Sequence, residues 1–175
     1  VDARSQQPAF GQYNLPYLRV ARWCGIGAII IGIAGLLGWI FNVPVLNSII
    51  PGYKPIAISM AVISILLGEV QVLLTHPLPR RAAGVLLVVS LIVTVFGLLE
   101  IIELVSGVDV TIEHAMLRHY PRLYANPDAH ISPVASVLSF LIALAQSLLL
   151  YHWITGRQSR ALANLIGGLG SVVII

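Results

Sequence analysis

Residues 82–105 read AAGVLLVVSLIVTVFGLLEIIELV and carry no charged side chain before Glu100. At ~1.5 Å rise per residue, a helix of this length spans the ~30 Å hydrocarbon core of a bilayer. Similar apolar stretches precede and follow it, separated by short polar or Arg-bearing breaks. The pattern predicts an all-α polytopic membrane bundle of two tandem helical hairpins plus a fifth helix. The predicted helices lie at about 23–41, 55–75, 82–105, 131–155 and 161–175.

The composition is that of a lipid-facing chain. Mean hydropathy is +0.92, 58% of residues are hydrophobic and 10% are charged, against roughly 25% charged residues in a soluble domain. The net charge of +3 is small and forms no basic face, so we expect no nucleic-acid partner. The single cysteine, Cys24, excludes an intrachain disulfide and a Cys-based metal site. With no P-loop, Gly-x-Ser-x-Gly or His-Glu-x-x-His motif, we predict neither an enzyme nor a resident cofactor.

The two ends of the sequence divide it into a tail and a membrane domain. Residues 1–22 are polar, include Pro8, Gly11 and Pro16, and lack the pattern of a signal peptide. We expect them to form an irregular cytoplasmic tail, followed by a membrane domain over 23–175. The last apolar stretch, 161–175, is about 22 Å long as a helix, shorter than the hydrocarbon core. We therefore expect the natural chain to be longer.

The distribution of basic residues predicts the orientation. The tail and the breaks at 76–81 and 156–160 hold seven arginines, whereas the loops at 42–54 and 106–130 hold three basic residues. Because cytoplasmic loops are enriched in Arg and Lys, the N-terminus and both short breaks should be cytoplasmic. The loops 42–54 and 106–130 should face outward.

The two hairpins also resemble each other in sequence. Residues 55–60, PIAISM, align with residues 133–138, PVASVL, and each segment opens a predicted helix that ends near arginines. Both hairpins start and end on the same side of the membrane. The repeat therefore predicts two hairpins packed side by side, without the broken helices expected of a transporter.

One stretch resembles a known family. Residues 39–55, WIFNVPVLNSIIPGYKP, and residues 107–113, GVDVTIE, are similar to signatures of the multi-pass N-terminal sensor regions of bacterial histidine kinases and diguanylate cyclases. The resemblance covers about residues 25–151 in the same order and spacing. Where that family has Asn-Thr after the helix-starting proline, this chain has Ile56-Ala57. The resemblance implies a bacterial inner-membrane location and a covalent downstream signalling domain, which these 175 residues do not include.

Glu69 is the most unusual residue of the predicted membrane segments. A carboxylate near the centre of a spanning helix costs roughly 2.5–3.5 kcal/mol on insertion scales, so such residues face the bundle interior or a wet cavity. One interpretation is a proton-linked or ligand-contacting group. The other, which we favour, is a hydrogen-bonded tie between helices, for instance to Gln146, which the repeat places at similar depth.

Other polar residues form weaker candidate sites. His76 and His152 lie at matching helix ends, where two histidines can ligate a haem iron; the favoured alternative is an imidazole stabilised by the helix dipole. Glu100 and Glu103 lie within about one turn of the outer interface, where we expect an acidic rim paired with Arg118 or Arg122. The outer loop offers further residues to an external ligand, although their spacing does not favour a metal site. These loop residues are Asp109, Glu113, His114, His119 and His130.

Small residues predict close helix packing. Glycines recur on one face of the first apolar helix and again in the fifth. Such faces allow helices to approach closely, within the chain or in a dimer. The predicted packing residues are Gly27, Gly32, Gly35, Gly38 and Gly167.

Together these features predict a membrane-embedded sensory or input module that transmits a stimulus by helix repacking. Its expected partners are the lipid bilayer and other membrane helices. The first alternative is a structural accessory subunit of a larger membrane complex that binds partner helices, lipid or pigment. The second is a small transporter component that uses Glu69.

Overall fold

A computed structural model of the chain describes residues 15–41, 43–47, 56–107 and 132–156. These residues form four long helices and one short helical turn, and none of them is in a strand. The prediction of an all-α bundle is therefore confirmed. The elements are α1 (Leu15–Phe41), α2 (Pro44–Asn47), α3 (Ile58–Leu74), α4 (Arg80–Ser106) and α5 (Pro133–Thr155).

Three of the helices are long and apolar enough to cross a membrane. They are Leu18–Phe41 within α1, Arg80–Ser106 and Pro133–Thr155. Helix α3 is as apolar but has 17 residues, about 26 Å at ~1.5 Å per residue. Stretches of this length and hydropathy are stable in hydrocarbon because a helix satisfies its own backbone hydrogen bonds. The chain is a membrane protein.

The helix boundaries differ from the predicted ones mainly at the N-terminus. Helix α1 begins at Leu15 rather than at about residue 23, so the second part of the predicted irregular tail is helical. Pro16 falls in the first turn of α1, where a missing backbone N–H costs nothing. Helix α3 is shorter than predicted, and a short turn, α2, interrupts the break that follows α1. The predicted fifth helix, 161–175, and most of the loop 106–130 lie outside the described residues.

Capping residues define the C-terminus of α4 and both termini of α5. The Ser132 hydroxyl accepts a hydrogen bond from the Ala135 N–H at 3.2 Å, and Pro133 starts α5. Gly107 and Gly156 follow α4 and α5 in the left-handed conformation, with φ of 67° and 63°. Their N–H groups donate to the carbonyls of Glu103 and His152. Glycine favours this position because a Cβ would be strained there.

The four long helices form two antiparallel pairs. Helix α1 packs mainly on α3, and α4 packs mainly on α5. The interfaces of helix α3 with α4 and with α5 are much smaller than the interfaces within the two pairs. Two apolar clusters fill this three-helix junction, and α1 contributes no buried residue to either. The clusters consist of Ile63, Leu67, Val93 and Ala143, and of Val70, Ala83, Leu86 and Leu150.

The described charges are separated along the bundle axis. The start of α1 and the start of α4 lie at one end, because α1 and α3 are antiparallel and a short turn joins α3 to α4. We call this the arginine end; it carries Arg19, Arg22, Arg80 and Arg81. Glu100 and Glu103 lie in the last turns of α4, at the opposite end. Glu69 is the remaining described charged residue, and it lies only about 3 Å deeper than Arg22 when both are measured from the Gly25–Gly68 contact.

Candidate functional site

A buried amide lies at the junction of the two helix pairs. Gln146 of α5 is 5% exposed, and a buried amide without hydrogen bonds would be costly. Its Nε2 donates to the Leu67 carbonyl at 3.1 Å and to Gln71 Oε1 at 3.2 Å, both on α3. Among the described residues, Gln146 Oε1 has no hydrogen-bond partner. Gln146 therefore links the second helix pair to the first by polar contacts.

Buried hydroxyls continue the polar surface between α4 and α5. Thr94 Oγ1 donates to the Ser90 carbonyl at 2.7 Å and lies 3.4 Å from Ser147 Oγ. Ser90 is fully buried, and its Oγ has no partner within the described part of the chain. We call Gln71, Ser90, Thr94, Gln146 and Ser147 the polar cluster.

Small residues bring α4 and α5 close together beside the polar cluster. A Cβ added to Gly97 would lie 3.0 Å from Phe140 Cβ and 3.1 Å from Phe140 Cα. Small and hydroxyl residues commonly line such contacts in membranes, because helix association there depends on close packing and hydrogen bonds. The polar cluster is therefore held by a closely packed helix pair on one side and by α3 on the other.

The structure does not place Glu69 inside the bundle. Its side chain is exposed on the outer surface of α3, although its neighbours Gly68 and Val70 are both buried. The expected tie between Glu69 and Gln146 is absent from the described residues, and Gln71 is the partner instead. At about 100° per residue, positions 69 and 71 point to nearly opposite sides of a helix. The tie between Glu69 and Gln146 was predicted from their similar depth in the membrane. Depth does not determine which side of a helix a residue faces.

Gln71 was not among the predicted site residues. It lies on an apolar face with Ile63 and Leu67, but the opposite face, with Val62 and Leu73, is apolar as well, so hydropathy did not mark the inward side. An amide on the inward face is a stronger candidate for an interhelical hydrogen bond than a carboxylate on the outward face.

The two candidate haem ligands lie near the arginine end. His76 is exposed in the turn after α3 and lines a very small pocket with Leu78, Leu150 and Trp153. His152 lies in the last turn of α5, and its Nδ1 is buried without a hydrogen-bond partner among the described residues. No group of three His, Cys, Asp or Glu side chains converges in the described helices. Haem binding at this pair stays a prediction.

The remaining candidates are distributed over the two ends. Glu100 and Glu103 are partly buried near the C-terminus of α4. The loop candidates and the fifth-helix glycine lie outside the described residues. These are Asp109, Glu113, His114, His119, His130 and Gly167.

Glycines form the interface between α1 and α3. A Cβ added to Gly32 would lie 2.6 Å from the Ala61 carbonyl oxygen, and one added to Gly35 would lie 3.4 Å from Ala61 Cβ. An equally close approach joins Gly25 and Gly68, which were not among the predicted packing residues: a Cβ added to Gly68 would lie 2.6 Å from the Gly25 carbonyl oxygen. Gly38 is buried, whereas a Cβ added to Gly27 would meet nothing within 4 Å.

Comparisons with known proteins identify no relative. No protein-family model matches the chain, and neither the curated proteins nor the solved structures gave a match.

Proposed function

We propose that the chain is a membrane-embedded sensory or input module that transmits a stimulus by a shift between its two helix pairs. The observation that carries this proposal is the Gln146–Gln71 hydrogen bond at the junction of the pairs. A stimulus that favours a second arrangement of this junction needs to change only a few contacts between two otherwise intact pairs.

The unequal packing of the helices supports this proposal. Glycines bring the backbones of α1 and α3 into contact, and Gly97 does the same for α4 and α5. The two pairs meet through a smaller junction in which only α3 contacts α4 and α5 substantially. Tightly packed interfaces resist deformation, so relative motion is expected at the junction rather than within a pair.

The sequence resemblance adds independent support. Residues 39–55 and 107–113 are similar to signatures of bacterial sensor regions. On this proposal the protein lies in a bacterial inner membrane with the arginine end in the cytoplasm. A signalling domain would follow Ile175, and the gene sequence beyond that residue tests this directly.

A reporter fusion tests the transmission step. A diguanylate cyclase domain is joined after Ile175, and its cyclic dinucleotide product is measured in cells at matched expression. We expect Gln146→Leu and Gln71→Leu to change the output in the same direction, because both remove the same hydrogen bond. Gly27→Ala is the matched control, because its added methyl group meets nothing within 4 Å. Output that is identical in all four proteins would contradict the proposal.

An accessory subunit is the second candidate. It is favoured by the outward position of Glu69 on α3, because a carboxylate in a spanning helix normally faces protein or water. Co-purification in a stoichiometric membrane complex would support this alternative. The alternative of a small transporter component that uses Glu69 stays a prediction, and a water-filled path reaching Glu69 would support it.

A further inference from the structure

We infer that a second copy of this chain covers the outer face of the α1–α3 pair, with Glu69 of each copy bound to Arg22 of the other. Arg22 and Glu69 are both exposed. Neither forms a hydrogen bond or an ion pair with another described residue. The inference does not depend on a sensory function.

Helical geometry places the two residues on the same side of the pair. The contact between Gly25 and Gly68 defines the line along which α1 and α3 touch. Arg22 lies about 60° around α1 from Gly25, and Glu69 lies about 100° around α3 from Gly68. Because the two helices run in opposite directions, these rotations have opposite senses when viewed from one end, and they carry both residues to the same side of the contact line. Both side chains therefore project from one surface.

The two residues also lie at similar depths. Moving toward the arginine end, Arg22 is three residues beyond Gly25, and Glu69 is one residue beyond Gly68. At ~1.5 Å per residue, their Cα atoms differ by about 3 Å in depth. A long arginine side chain spans such a difference.

The surface around Glu69 is otherwise apolar. Exposed Val62 and Leu73 lie on the same side of α3, about two turns before and one turn after Glu69. Exposed Ile33 and Ile40 lie on the same side of α1 as Arg22. We call this surface the Glu69 face; it consists of Arg22, Ile33, Ile40, Val62, Glu69 and Leu73.

A twofold dimer fits this charge pattern. In a membrane, two copies with the same orientation are related by an axis along the membrane normal, so residues at equal depth meet. A twofold interface is self-complementary, because residue i contacts residue j of the other copy and j contacts i. One acidic and one basic group at similar depth thus form two ion pairs across the axis. Each pair removes a carboxylate from hydrocarbon contact, which is where such residues are most costly.

Cysteine cross-linking in liposomes tests the surface. In a Cys24→Ser background of the full chain, Ile33→Cys copies mixed with Val62→Cys copies should form disulfide-linked dimers on mild oxidation, because α3 of one copy faces α1 of the other at this depth. The control is Ile92→Cys, an exposed apolar position of α4 outside the Glu69 face. Cross-linking between Ile33→Cys and Val62→Cys copies no stronger than that between Ile33→Cys and Ile92→Cys copies would overturn the inference.

Charge variants test the ion pairs. The dimer fraction is measured by single-molecule photobleaching in liposomes over a range of protein-to-lipid ratios. Glu69→Gln and Arg22→Gln should each weaken dimerisation about tenfold, because each removes one partner from both ion pairs. The exchange Glu69→Arg with Arg22→Glu should restore it, and Arg81→Gln, at the same end on α4, should leave it unchanged. A monomeric native chain, or a dimer indifferent to Glu69→Gln, would overturn the inference.

Discussion

Gln146 on α5 donates a hydrogen bond to Gln71 on α3 at 3.2 Å, and its Nε2 also contacts the Leu67 carbonyl at 3.1 Å. The bond joins residues 75 positions apart in sequence and connects the two helix pairs. Apart from these two hydrogen bonds of Gln146, the junction consists of the two small apolar clusters described above. In hydrocarbon, apolar side chains gain little by exchanging lipid for protein. The amide pair is therefore the most specific contact between the pairs.

Removing this hydrogen bond should weaken the junction. We expect Gln146→Leu to lower the free energy of unfolding in mixed micelles by about 1–2 kcal/mol, because it leaves Gln71 Oε1 without its donor. A double-mutant cycle with Gln71→Leu should give a coupling of about 0.5–2 kcal/mol. Thr155→Ala, whose hydroxyl bonds within α5, serves as the uncoupled control. Additive effects of Gln146→Leu and Gln71→Leu would show that the pair does not stabilise the junction.

Close packing of α1 on α3 should be sensitive to one methyl group. A Cβ added to Gly68 would lie 2.6 Å from the Gly25 carbonyl oxygen, so the helices would have to separate. We expect Gly68→Ala to destabilise the protein by about 1–3 kcal/mol. Gly27→Ala has open space around its added methyl and gains helix propensity, so it should be neutral or stabilising. Equal unfolding free energies of the two variants in mixed micelles would contradict this packing.

The second pair offers a similar comparison. A Cβ added to Gly97 would approach the backbone of Phe140 at 3.1 Å, whereas one added to Gly84 would meet nothing within 4 Å. Gly97→Ala should therefore lower the unfolding free energy by about 1 kcal/mol or more. The backbone atoms of Phe140 cannot move away from the added methyl group as easily as the end of a flexible side chain could. Gly84→Ala, on the same helix, should not. Thermal unfolding followed by circular dichroism measures both variants.

A hydrogen bond from a tryptophan indole connects α1 to the segment that leads into α3. Trp39 Nε1 donates to the Ile56 carbonyl at 2.7 Å, just before α3 begins. Trp39→Phe keeps the ring but removes the donor, and should cost about 0.5–1.5 kcal/mol. Trp23 is 71% exposed on the same helix, so Trp23→Phe is the control. If both substitutions change the unfolding free energy equally, the Trp39 hydrogen bond contributes nothing measurable.

The arginine end should lie in the cytoplasm. In a Cys24→Ser background, His76→Cys reports on the turn between α3 and α4, and Ser106→Cys reports on the far end of α4. A membrane-impermeant maleimide added to intact cells should label position 106 and leave position 76 unlabelled until the membrane is opened. Labelling of both positions from one side would contradict a spanning α4. Labelling of position 76 alone would reverse the orientation.

The sequence by itself determined the solvent, the helix type and the approximate spans, because apolar runs of this length are stable only as helices in lipid. The predicted start of α1, at about residue 23, is wrong because it leaves Arg19 and Arg22 outside the helix, which begins at Leu15. Arginines near a helix end extend to the interface and do not stop the helix. Hydropathy therefore located the membrane-spanning segments but not the first residue of α1.

Tertiary structure alone decided which polar and small residues meet. Gln146 and Gly32 were predicted from the sequence. The contacts of Gln71, Gly25 and Gly68 were identified only in the structure, where α3 packs against the other helices. In lipid, the inward and outward faces of a helix are both apolar, so hydropathy does not mark the buried side as it does in water. The rotation of each helix is set by packing and hydrogen bonds with residues distant in sequence. That is why the sequence specified the depth of Glu69, and the structure placed it on the outer face.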